Sequence, residues 1–180
     1  TTYGGAAEAQ AAIARVRRIH DRVTGVLPNG TPYAANDPAS LAWVHVTGAA
    51  SFLNAWIRYA EPNLSAADQD RYFDETAQVA IALGADPVPR TRAEADALIR
   101  AMRPQLLCDA RTREVCRLVL RQPAPTRMAE PLQTLTVQAG VDLLPDWARM
   151  LHGFPPPLLG RPLVRAGTHG VARTLRWAFG

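Results

Sequence analysis

The chain has 180 residues, 48% of them hydrophobic and 20% charged, with only two cysteines. That length suits one domain, the balance excludes a disordered chain, and two cysteines cannot build a disulfide scaffold. There is no lysine: all 20 basic residues are arginine, set against 16 acids, for a net charge of +4. The charge is uneven. Residues 1–99 hold 8 Arg and 11 acids, while residues 100–180 hold 12 Arg and 5 acids. A basic C-terminal half attracts anions or an anionic surface. The arginines are dispersed at helical spacings with no aromatic-interleaved run, which argues against nucleic acid as a partner.

In chain order, the spacing predicts a first helix over about residues 5–23, with Ile13, Val16, His20 and Val23 on one stripe. Thr24-Gly25 closes it, and Leu27-Pro28-Asn29-Gly30-Thr31-Pro32 reads as turn and loop. A second helix starts at Asn36-Asp37-Pro38 and runs to about Tyr59, before Glu61-Pro62. Ser65-Ala66-Ala67-Asp68 opens a third, ending at Leu83-Gly84, with Asp in place of the usual Glu of a capping box. Thr91-Arg92-Ala93-Glu94 has the standard form and opens a fourth, to about Met102. Further helices are predicted at about 110–121, 130–150 and 167–178, the second interrupted by Pro145. Pro155-Pro156-Pro157 predicts a stiff extended corner. With no repeat and little β-branched alternation, the fold class is all-α: one orthogonal or bundle-like domain over residues 1–180. The chain opens Thr1-Thr2-Tyr3 without Met and reads as trimmed or partial.

Leu41 to Ile57 carries no formal charge. It is shorter than the roughly 20 apolar residues of a span and contains His45, Thr47, Ser51 and Asn54, so a central buried helix is expected. No transmembrane span is expected, and peripheral membrane contact through the basic half is compatible with the charge. Cys108 and Cys116 lie eight apart, which fits no paired-cysteine zinc pattern; two buried thiols in a reducing, cytoplasmic setting are expected.

Four histidines remain. His20 sits on the apolar stripe of the first helix, three residues after Arg17. A buried imidazole needs a partner, and both a metal ion and a backbone carbonyl qualify. His45 shares a helix face with Leu41, Gly48 and Phe52. Gly48 admits either a flat ligand or a close helix crossing. Glu75 is expected to be partly buried, where it either completes a two-His, one-carboxylate iron set with His20 and His45 or pairs with an arginine. His152 and His169 stand beside glycines and are expected at the surface. No phosphate loop, nucleophile elbow or His-Glu-x-x-His occurs.

One set of residues carries a resemblance. Arg15-Val16-Arg17-Arg18-Ile19-His20-Asp21-Arg22-Val23-Thr24-Gly25 precedes Gly30-Thr31-Pro32-Tyr33-Ala34-Ala35-Asn36-Asp37-Pro38. Leu41-Ala42-Trp43-Val44-His45-Val46-Thr47 follows, then Tyr72-Phe73-Asp74-Glu75 ahead of Leu83-Gly84. Over residues 1 to about 105 this order resembles the MpaB-type oxygenases, relatives of the rubber oxygenases (latex-clearing proteins). The resemblance implies a helical fold holding haem b between helices. It implies His20 as the proximal iron ligand, with His45 facing the haem pocket as second ligand, distal hydrogen-bonder or supporting group. Arg17 would pair with a propionate or orient the pocket. On the helical-face reading, Ile13, Val16, Gly48 and Phe52 would wall the macrocycle. Dioxygen and a small unsaturated or otherwise hydrophobic substrate are the implied partners. A non-catalytic helical relative is the alternative outside the enzymes. The family's upstream distal lysine has no counterpart here, so a lysine-ligated resting state is not expected from this chain.

Overall fold

The computed structural model describes residues 5–154 and 160–179, leaving aside the side chains of 175, 176, 178 and 179. The triple-proline corner lies outside these residues. Among them the chain forms eight α-helices, two short 3-10 turns and one hairpin, which makes it all-α. The chain divides into two compact units, Thr1–Leu53 with Leu64–Pro104, and Asn54–Asn63 with Gln105–Gly180.

In the first unit, α1 (Ala6–His20) starts with the Gly5 N–H donating to the Glu8 carboxylate at 2.9 Å. It stops three residues before the expected end. Two short strands follow, β1 (Thr24–Val26) and β2 (Pro32–Ala34), antiparallel with Gly25 opposite Tyr33. The turn chemistry is as the sequence implies: Gly30 N–H donates to the Leu27 carbonyl and Asn29 Oδ1 accepts from Thr31 N–H. Strands of three residues are too short to show an alternating pattern, so the hairpin itself was not expected.

Helix α2 (Pro38–Tyr59) has Pro at its first position and the Asp37 carboxylate accepting from Ser40 N–H at 2.7 Å. Those Ser40 hydrogen bonds hold the Asp37 carboxyl below its ordinary value. Leu41, Ala42, Val46, Ala49, Ala50 and Leu53 form its buried face. The opposite side exposes Val44, Phe52 and Trp56, so the expected central burial holds for one face only. Helix α3 (Ala66–Leu83) is capped by Ser65, whose hydroxyl oxygen accepts from Asp68 N–H and whose O–H donates to the Asp68 carboxylate. It ends at Gly84, whose φ of 98° only glycine adopts without strain. Helix α4 (Arg92–Met102) is capped by Thr91, which accepts from Glu94 N–H, while the Glu94 carboxylate accepts from Arg90 N–H one residue ahead of the cap. α3 packs on both α1 and α4. Leu41, Ala42, Ala80 and Ala85 form a core cluster, with Val88 and Leu98 against it.

The second unit holds the end of α2, then α5 (Ala110–Leu120), α6 (Glu130–Leu143), α7 (Asp146–His152) and α8 (Gly160–Phe179). The helix expected over 130–150 is two helices, because Pro145 cannot continue the hydrogen-bond ladder. α8 begins seven residues earlier than expected, since packing on α6 overrides the low propensity of Gly167 and Gly170. Gly167 is small for a reason: a β-carbon there would stand 3.2 Å from Leu135 Cδ1 of α6.

Candidate functional site

His20 closes α1 and His45 lies mid-way along α2, both half-buried in the first unit. His20 Nδ1 and His45 Nε2 are buried and have no hydrogen-bond partner. A buried imidazole nitrogen without a partner costs on the order of 1–3 kcal/mol, so two in one unit call for an explanation. Burial pushes the His45 imidazole below its ordinary value. It is therefore neutral at pH 7 and keeps a lone pair to give.

The segment between the two histidines is tied together by Asn36. Its amide donates to the Asp21 carboxylate and to the Arg17 carbonyl, joining the end of α1 to the start of α2. Arg17 Nη1 donates to the Ala82 carbonyl at 3.3 Å, using one of the last carbonyls of α3. One role of Arg17 is therefore to fasten α1 to α3, which the spacing alone did not indicate.

Around His45, a β-carbon built on Gly48 meets nothing within 4 Å, so open space adjoins this helix face. Ile13 is half-buried, while Val16 is 36% and Phe52 75% exposed. Glu75 is exposed, not partly buried. Among the described residues no group of three or more His, Cys, Asp or Glu is placed to hold a metal ion. The non-haem iron set of His20, His45 and Glu75 is thereby corrected: Glu75 stands two residues from both buried Phe73 and buried Ala77, about half a turn round α3, on the exposed face.

The second unit holds two clusters that sequence reasoning missed. His152 is no surface loop residue. It ends α7, stacks on Phe154, and its Nδ1 lies 3.4 Å from Cys108 Sγ and 3.5 Å from Cys116 Sγ. Both thiols are half-buried rather than buried. His169 is exposed, as expected, with its ring edge-on to Tyr59.

The other cluster centres on Asp142, whose side chain is wholly buried. Arg165 Nε donates to it at 2.8 Å, Arg58 Nη1 at 3.2 Å, and Arg161 Nε lies at 3.3 Å. Burial pushes this carboxyl up, but the hydrogen bond from Arg165 and the charges of Arg165, Arg58 and Arg161 outweigh it and hold it below the ordinary value. The only prior signals were the arginine excess of residues 100–180 and the i, i+4 spacing of Arg161 and Arg165.

A depressed carboxyl stabilises the fold fully above its unfolded value, near pH 4, and loses that contribution as pH falls through its folded value. The unfolding free energy of Asp142→Asn, measured by urea titration, is therefore expected to fall below the parent's at neutral pH, with a gap that starts to narrow near pH 4 and closes only as the pH falls through the folded value. A gap that stays constant into acid would remove Asp142 from the acid response.

Among the described residues no helix is long and apolar enough to cross a membrane. A family model described as "ER-bound oxygenase mpaB/B'/Rubber oxygenase, catalytic domain" matches residues 1–177. No curated protein and no solved structure matches the chain.

Proposed function

The chain belongs to this oxygenase catalytic-domain family, and on that premise we propose that it is a haem b oxygenase in which His20 would hold the iron. The observation that carries the reading is the two buried, unpartnered imidazole nitrogens, His20 Nδ1 on α1 and His45 Nε2 on α2, the latter one turn before the open space at Gly48. A Lewis acid satisfies a bare imidazole nitrogen without any new protein donor. Haem iron brings four ring nitrogens of its own, so one protein imidazole suffices where the described residues offer no three-residue ligand group. The residues therefore fit the group.

When bound, haem supplies the activation of dioxygen; the chain binds, orients and shields. His20 would hold the iron. His45, kept neutral by burial, offers a hydrogen-bonding nitrogen inside the pocket. Arg17 has guanidinium N–H groups beyond the one held by Ala82, and these would meet a propionate. Ile13, Val16, Gly48 and Phe52 would wall the macrocycle. The exposure of Val16 and Phe52 is then apolar area that a haem or an unsaturated, hydrophobic substrate would cover. We read residues 1–180 as one oxygenase domain, placed in the cytoplasm with peripheral membrane contact through its arginine-rich half.

Titrating ferric protoporphyrin IX into purified protein tests this. A Soret band that saturates at one equivalent is expected. Bound iron without a Soret band would make the centre a non-haem metal. Folded, helical protein that takes up neither would leave a non-catalytic relative.

A further inference from the structure

We propose that the arginine cluster around Asp142 binds a phosphate monoester group. This site is carried by the second unit alone and does not depend on the haem reading. Four arginines from three helices converge there: Arg58 from α2, Arg149 from α7, and Arg161 with Arg165 from α8. They line an open cavity of about 680 Å³. Asp142 and Asp146 are the two acids lining it.

Charge decides the ligand class. Four guanidinium groups against two carboxylates leave a surplus of two positive charges. A single carboxylate ligand would cancel half of that, whereas a phosphate monoester carries about −1.5 to −2 at pH 7. The surplus sits in a concave site, where field lines concentrate and attract anions.

Geometry leaves donors for it. Asp142 holds Arg58 through Nη1, Arg165 through Nε and Nη2, and Arg161 through Nε. Arg149 is fixed through Nη1 on the Asp142 and Leu144 carbonyls and through Nη2 on Asp146. Among the described residues, Nε and Nη2 of Arg58, Nη1 of Arg161 and Nη1 of Arg165 meet no protein acceptor. The carboxylate thus clamps part of the Arg58, Arg161 and Arg165 guanidinium groups and leaves their remaining N–H groups to the cavity the same residues line. Planar, pre-oriented arginines of this kind suit phosphate oxygens. Asp142 is the hub that lets four like charges stand together, and it is also a competitor for them.

Two sources present this chemistry, free phosphate and the headgroup of phosphatidate. Isothermal titration of the full chain with inorganic phosphate at low salt is expected to show saturable binding. Flotation with phosphatidylcholine vesicles containing phosphatidate is expected to exceed that with vesicles containing equal phosphatidylglycerol, a diester. Phosphate heat with flotation supports both sources, and flotation alone assigns the headgroup. Arg161→Gln is expected to weaken binding by about tenfold or more, the loss of one charge-assisted contact. Arg58→Gln serves if that variant does not fold. Asp142→Asn removes the competing charge and is expected to tighten phosphate binding, an effect a purely structural cluster would not produce. No binding of either probe, equal flotation with phosphatidylglycerol without phosphate heat, or phosphate affinity unchanged in the arginine variants would overturn the site.

Discussion

Replacing His20 by alanine is expected to abolish the one-equivalent Soret band while leaving the protein without haem no less stable than its parent. The two halves of that result have separate causes. Losing a hydrogen-bond partner of a metal ligand costs about 10–100-fold in affinity, and losing the ligand itself is expected to cost at least the upper end of that range. In the empty protein, the imidazole has a buried nitrogen that nothing satisfies. Removing it removes a cost on the order of 1 kcal/mol and places alanine, the best helix former, in the last turn of α1. Haemin titration followed by thermal melts of both proteins makes the comparison. A variant that melts several degrees lower yet binds haem as before would show that His20 serves packing alone. His45→Ala is the companion: a retained Soret band at a shifted position is expected, because on the proposed reading His45 would border the pocket without being the sole holder of iron.

Phe73→Ala is expected to cost about 3–5 kcal/mol, the usual range for emptying a fully buried aromatic site. Phe73 has no exposed surface, lies on the α3 face with Ala77 and Ala80, and meets the Tyr72 ring edge-on. Small neighbours cannot swell to fill the space, so the cavity term is near its full value. For a chain of this size each kcal/mol moves the melting temperature by about 2–4 °C, which predicts a drop on the order of 10 °C. The loss is expected to reach the proposed haem site as well. α1, which carries His20, packs on α3, and Arg17 is fastened to the Ala82 carbonyl at its end. Phe73→Leu, which keeps most of the volume, is expected to recover most of both. Circular dichroism melts with and without haemin measure the two effects. A change in melting temperature of less than about 2 °C would mean that α3 closes over the gap.

Much of the first unit was legible because its signals are local. Ser65, Thr91 and Asp37 each cap the helix that follows within three residues, and Gly84 ends α3 where a left-handed residue is needed. Pro145 announced a break, although whether it would kink one helix or separate two was not written beside it. The order of Arg17, His20, Asn36-Asp37-Pro38 and His45 was enough to suggest the family, and the family match over residues 1–177 bears that out. Glu75 shows the limit. Its neighbours Phe73 and Ala77 are buried, but helical periodicity does not say where the edge of the buried stripe falls, and Glu75 lies outside it.

The sequence by itself determined the all-α class, where most helices begin and end, and which histidines stand on apolar faces. Those properties depend on residues within a turn or two of each other, where capping, proline and periodicity act. Only the tertiary structure decided that Asp142 would be the buried carboxylate, that Arg58 would reach it from 84 residues away, and that His152 would meet both thiols. It likewise decided that two imidazole nitrogens would be buried without partners. Whether a charge is buried, and what compensates it, is fixed by long-range packing, because solvation depends on every group that closes around a site and not on its neighbours in the chain.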